Sequence, residues 1–246
     1  RQAQTAGYDY SKPFAEQVED FERGLIPKND TLIVGRTPEV FRKIGLNALP
    51  MTINQEHVDY ALHGTKDFDH YLGKEGLKQL PDALEHPVAI ISSKTKNGTS
   101  LVAMLEIRQN GKQGIVPVVI DGFGVENGLR IDSHAITSVY GKDYSISRVL
   151  RNALEDEANG KKFSVYYVDI KKATGLLRGA KVLMPKMPAT SPDGYINSIT
   201  DPGSPVKPRF SGVTETRQFK SWFGNWQKYP NRASKIVNAD GTPRVM

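Results

Sequence analysis

The sequence predicts an α+β domain: N-terminal helices packed on an antiparallel β-meander sheet of four to five strands, with an extended Pro-rich C-terminal tail. Three observations predict it. Up to about His86 the apolar side chains recur at helical spacing. From Pro87 the period becomes extended, with Asn-Gly pairs between apolar runs, the strongest short-range hairpin signal. After Gly179 periodicity fades and prolines crowd the chain.

The elements follow in order. Residues 1–12 read as a flexible lead-in. Pro13 to Arg23 is an amphipathic helix with Phe14, Val18 and Phe21 on one stripe and Gly24 as its stop. Thr31 to Val34 is a short strand or extended piece, and Thr37-Pro38 opens a helix through Ile44 that ends before Gly45. Thr52-Ile53-Asn54-Gln55 has the form of a capping box, which predicts a helix from Ile53 to Leu62 with Val58, Ala61 and Leu62 buried. A further helical stretch spans Leu72 to Leu84. Strands are expected over Pro87–Ser92, Ser100–Ile107, Ile115–Asp121, Leu129–Tyr140 and Phe163–Val168. Ser145–Ala158 is a helix with Val149, Leu150, Ala153 and Leu154 facing inward, and Lys171–Arg178 is a last short one. Residues 180–213 form an extended connector. In residues 214–246, Phe219, Trp222, Phe223 and Trp226 lie at helical spacing, a pattern of packing rather than of nucleic-acid stacking.

Composition narrows the function classes. No apolar run is long enough to span a bilayer, so no membrane role is expected. With no cysteine there is neither a disulfide framework nor a thiolate metal site. The opening Arg1, without an initiator Met or a signal pattern, reads as a cut-out piece of a longer protein. Residues 1–140 carry 15 Lys+Arg against 18 Asp+Glu, and residues 141–246 carry 18 against 9. The basic half can attract a polyanion such as RNA, although a solvated face explains it as well.

Four of the five histidines, His57, His63, His70 and His86, fall within thirty residues. Histidine both takes and gives a proton near neutral pH, so proton transfer is the first chemistry to consider. His57 sits on the first turn of its helix, where the dipole favours the neutral ring. Metal binding is not expected: His57, His63 and His70 are six and seven residues apart, unlike the i, i+4 pair of helical zinc motifs. No cofactor is expected either. The glycines Gly122, Gly124 and Gly128 miss the dinucleotide spacing, and Walker and nucleophile-elbow motifs are missing.

Two stretches carry a resemblance. Gly35-Arg36-Thr37-Pro38-Glu39-Val40, Leu49 through Val58, Leu77 through Pro81, Asp132, Thr137 through Lys142 and Tyr167-Val168-Asp169 resemble the C-terminal domain of phage MuF-type head proteins. That domain also occurs in polyvalent proteins of phages and conjugative elements, and has been grouped with the barnase–EndoU–colicin–RelE-like nucleases. Thr216 through Trp226 and Ala233 through Val245 resemble the linker leading into an ADP-ribosyltransferase-like module, which would begin beyond Met246. The resemblance implies a domain over 13–179 that cuts RNA without metal, acting as a toxin or effector in the bacterial cytoplasm after delivery with phage or conjugative DNA. Implied partners are RNA, a phage head or portal, other modules of the same polypeptide, and an immunity or host target protein.

Metal-free RNA cleavage needs a base, an acid and a cation or donors for the phosphate. His57 is the first candidate for base or acid and His70 the second, with Lys66 as the cation. Thr137, Ser138 and Tyr140 can supply donors from one strand, with Lys142 nearby; Ser138 and Tyr140 share a face by strand alternation. The alternatives are a non-catalytic binding or inhibitory module and a structural role near a portal. His57 then merely packs its helix, while Lys66 and Tyr140 face solvent.

Overall fold

The computed structural model describes residues 7–64, 71–93, 100–109, 112–120, 124–126, 129–131, 133–139, 145–177, 195–198 and 202–206. The chain divides into a unit of Arg1–Val206 and a unit of Lys207–Met246. The second, with its aromatic stripe, lies outside the described residues.

The first unit opens with α1 (Phe14–Glu22), β1 (Thr31–Arg36), α2 (Glu39–Lys43) and β2 (Pro50–Asn54). Three helices follow: α3 (Gln55–His63), α4 (Gly73–Lys78) and α5 (Leu80–Glu85). Then come β3 (Ala89–Ser92), β4 (Leu101–Gln109), β5 (Lys112–Ile120), β6 (Gly124–Glu126), β7 (Leu129–Ile131) and β8 (His134–Val139). The unit ends with α6 (Ser145–Ala158), β9 (Val165–Val168), α7 (Ile170–Leu176) and β10 (Tyr195–Ile196).

The α+β class holds, and the sheet is wider than four to five strands. Eight strands lie in the order β1-β2-β8-β5-β4-β3-β9-β10, and β6 and β7 form a separate pair. All neighbours are antiparallel except β2 and β8. Strand β4 pairs with β5 from Leu101↔Ile120 to Gln109↔Lys112, a two-residue connection at the Asn-Gly site.

Alternation on β4 separates two cores. Leu101, Ala103, Leu105 and Ile107 face the core beneath α1 to α5, while Met104 and Val102 face the one beneath α6 and α7. In α6, Leu150, Ala153 and Leu154 are buried but Val149 is 39 % exposed. The expected inward Val149 is corrected, since one residue rotates a helix by about 100° off that stripe.

Two boundaries move for local reasons. Thr52 does not cap α3: it lies inside β2, and its hydroxyl is 2.8 Å from that of Ser133. Asn54 is the N-cap, its side chain accepting from the His57 amide at 2.8 Å. The stretch Leu72–Leu84 is two helices rather than one, because Pro81 falls in the first turn of α5 and cannot continue a helix from α4. The lead-in is tied down from Tyr8 onward. The Tyr8 hydroxyl donates to Asp20 at 2.8 Å, and the Tyr10 hydroxyl donates to Asp30.

Part of the proline-rich run is also seated on this unit. Asn197 donates to Glu157 at 2.8 Å and to the Val165 carbonyl at 2.7 Å, and Ser204 lies 2.8 Å from the Tyr166 hydroxyl. Glu157, itself buried, accepts the Ser164 and Val165 amides at 2.8 and 3.0 Å. Phe163, just before them, has φ of 70°, a left-handed conformation rare for a side chain this bulky.

Candidate functional site

Strand β2 passes directly into α3, so His57 stands on the first helical turn at the carboxyl end of that strand. Its parallel neighbour β8 is in register at Met51↔His134, Thr52↔Ala135 and Ile53↔Ile136. The start of α3 and the last residues of β8 therefore lie at the same end of the sheet. Between Ile136 and Ser138 the pairing with β5 slips by one residue, leaving Thr137 as a half-buried bulge. The slip explains why Ile136 and Val139 both join the first core, against strict alternation.

The His57 ring is half-buried, and burial pulls its pKa below the ordinary imidazole value, partly opposed by the Glu56 carboxylate. Among the described residues the ring has no hydrogen-bond partner. The Tyr60 ring centroid lies 6.4 Å away and tilted by 54°, and the Tyr60 hydroxyl donates to Glu56 at 2.8 Å. Burial thus favours the neutral ring, the form that can accept a proton.

Of the other expected site residues, His70, Lys66, Tyr140 and Lys142 lie outside the described residues. For Ser138 the described part is its backbone, in β8. His63 is exposed and 3.0 Å from Asp59, one helical turn away. His134, the fifth histidine, is buried with Nε2 3.0 Å from the Asn47 carbonyl, a structural position. Among the described residues no group of three His, Asp or Glu side chains is placed to hold a metal ion.

Two clefts made of described residues escaped the sequence reading. One, of about 300 Å³, is lined by Gln79, Asp82, His86, Glu106, Arg108 and Lys172. The other, of about 400 Å³, has Ser92, Ser93, Lys161, Lys162 and Ser164 on its walls. No local pattern announces either, because their residues come from positions tens of residues apart. The one available signal is the charged Glu106 and Arg108 alternating with apolar Leu105 and Ile107 on a strand.

A comparison with family models bears on these positions. Residues 61–175 match the phage MuF C-terminal domain. This stretch is similar to a domain of phage proteins. No curated protein and no solved structure gives a match. The MuF C-terminal match starts inside α3 and runs into α7, so it includes the smaller cleft whole, together with Thr137 and Ser138. His57 lies four residues before it. Among the described residues no helix is long and apolar enough to cross a membrane.

Proposed function

We propose that the chain is an effector module of a phage or mobile element that cuts RNA by metal-free proton transfer. One observation carries the reading: a half-buried imidazole at the head of α3, its pKa lowered by burial and its ring without a hydrogen-bond partner among the described residues, at the sheet end where β8 finishes. In this reading His57 takes the ribose 2′-hydroxyl proton. The 2′-oxygen bonds to phosphorus, and the 5′-oxygen leaves with a proton from a second group, for which His70 is the candidate. Thr137, Ser138, Tyr140, Lys66 and Lys142 are the proposed donors and cations around the phosphate.

The test is incubation of the chain with an RNA oligonucleotide, with and without a chelator. Chelator-resistant cleavage lowered by about 10²–10⁴-fold in His57→Ala supports the proposal. Intact RNA overturns it. A second reading, a non-catalytic phage-head or host-binding module, is favoured by the position of His57 outside the matched segment. Full activity of His57→Ala would remove His57 from the chemistry, and retrieval of one specific phage or host protein alongside intact RNA would establish the second reading.

A further inference from the structure

The smaller cleft exists because β4 outruns β3. Nine residues of β4 pair with β5, while only Leu101–Met104 pair with β3. Beyond Met104 a notch opens in the sheet, walled by α5 and by α7. Gln79 closes the exposed backbone there: its Oε1 accepts from the Arg108 amide at 3.0 Å, and its Nε2 donates to the Arg108 carbonyl at 2.8 Å. A side-chain amide thereby replaces the missing strand.

With Gln79 meeting the structural need, the other polar groups are left over. Arg108 and His86 are exposed, and among the described residues neither the guanidinium nor the imidazole has a hydrogen-bond or ion-pair partner. The Lys172 ammonium donates to the His86 carbonyl at 2.7 Å and lies 3.5 Å from Glu106, a loose pair that a ligand can open. Asp82, one turn before His86 on α5, completes the rim.

The charges are mixed, which narrows the ligand class. A plain anion would meet two carboxylates, and a plain cation would leave Arg108 and Lys172 opposed to it. A group carrying both an anion and hydroxyl donors satisfies all four. We infer that this notch is a ribonucleotide-binding subsite. Arg108 and Lys172 hold the phosphate, and Glu106 and Asp82 accept from ribose hydroxyls. A guanidinium fork suits a phosphate, and the 2′-hydroxyl is the group by which a protein tells RNA from DNA. The volume, about 300 Å³, is at the small end of ligand sites and suits one nucleotide unit.

The inference rests on the RNA reading and gives it a second contact point. Strands β2, β8 and β4 run in one direction, with Ile53, Ile136, Ile120 and Leu101 in line across the sheet. Arg108 thus lies at the same sheet end as His57, on the order of 20 Å away by strand rise and spacing. By alternation with Leu105 and Ile107, the Arg108 side chain leaves the sheet on the α7 face, opposite the face that α3 covers, so RNA reaching both sites must pass around this sheet end.

The experiment titrates the full chain with uridine 3′-monophosphate, its 2′-deoxy analogue and inorganic phosphate, by calorimetry and by the histidine ring NMR signals. His86 is assigned through His86→Gln. Saturable binding of the ribonucleotide that moves the His86 signal is expected, with weaker binding of the other two. Arg108→Ala should weaken it by about tenfold or more, the loss of a charge-assisted contact. The double variant Asp82→Ala/Glu106→Ala should abolish the preference for ribose over deoxyribose. No saturable binding, equal binding of inorganic phosphate, or indifference to Arg108→Ala overturns the inference. Nucleotide binding with intact RNA keeps the subsite and rejects the cleavage reading, whereas RNA cleavage without nucleotide binding does the reverse.

Discussion

Replacing Gln17 by alanine tests how the open edge of the sheet is protected. Gln17, on α1, is 1 % exposed and faces β1, the outermost strand. Its Oε1 accepts from the Ile33 amide at 2.8 Å, and its Nε2 donates to the Ile33 carbonyl at 3.1 Å and the Lys12 carbonyl at 2.8 Å. Alanine leaves these three backbone groups without their side-chain partner in a part-buried site. An unsatisfied buried polar group costs about 1–3 kcal/mol, and the one lost methylene adds about 0.8 kcal/mol. Water entering the gap recovers part of this, so the expected loss is about 2–4 kcal/mol, or roughly 5–15 °C in Tm for a unit of this size. Urea unfolding followed by far-UV circular dichroism measures it. Hydrogen exchange at Ile33 should accelerate in the same variant. A change below about 0.5 kcal/mol, the range of ordinary surface substitutions, would refute the claim that this amide stands in for a strand.

Three more outcomes follow from the described contacts. Lys74 and Lys78 hold the Glu19 carboxyl down to about 2 at the α1–α4 contact, with Nζ–Oε distances of 2.6 and 2.5 Å. Its folded value is below its unfolded one, so its stabilisation is present above the ordinary carboxylate range and is lost as pH falls toward 2. Glu19→Gln should flatten stability across that window, and salt should weaken the wild-type effect. His57 is depressed in the same sense, so its contribution is present above the ordinary imidazole range and fades as pH falls below it. In NMR its ring should titrate below a histidine of the unfolded chain, and a titration above it would contradict the burial argument. Glu157→Ala takes away the acceptor of the Ser164 and Val165 amides and one of the acceptors of the Asn197 side chain. A loss of about 2–4 kcal/mol is expected, with faster proteolysis around Asn197; unchanged proteolysis would mean that the carboxylate does not hold this segment.

Legibility in the sequence was greatest where chemistry is local. Helix α6 has the expected bounds, and the Asn110-Gly111 pair joins β4 to β5 as a hairpin signal should. Val58, Ala61 and Leu62 are the buried stripe of α3. Strand β2 was hidden because Thr52 and Gln55 mimic a capping box, whereas Thr52 is claimed by Ser133, eighty-one residues later. His57 was legible as a first-turn histidine, and Asn54 as its cap was missed for the same reason. The notch left only the charged Glu106 and Arg108 on an apolar strand as a sign in the sequence. Its His86, Glu106 and Lys172 meet through strand lengths and helix docking that no short pattern encodes.

The chain's own periodicities decided where helical spacing gives way to the run of strands after Pro87, because turns of 3.6 residues and pleats of two residues each leave a mark within a dozen positions. They also decided which faces are apolar. Folding in three dimensions decided the rest: the parallel seam of β2 against β8, the bulge at Thr137 and the gap left where β3 stops short of β4. These arise because backbone donors and acceptors must find partners wherever the folded chain presents them, and sequence proximity does not enter that requirement.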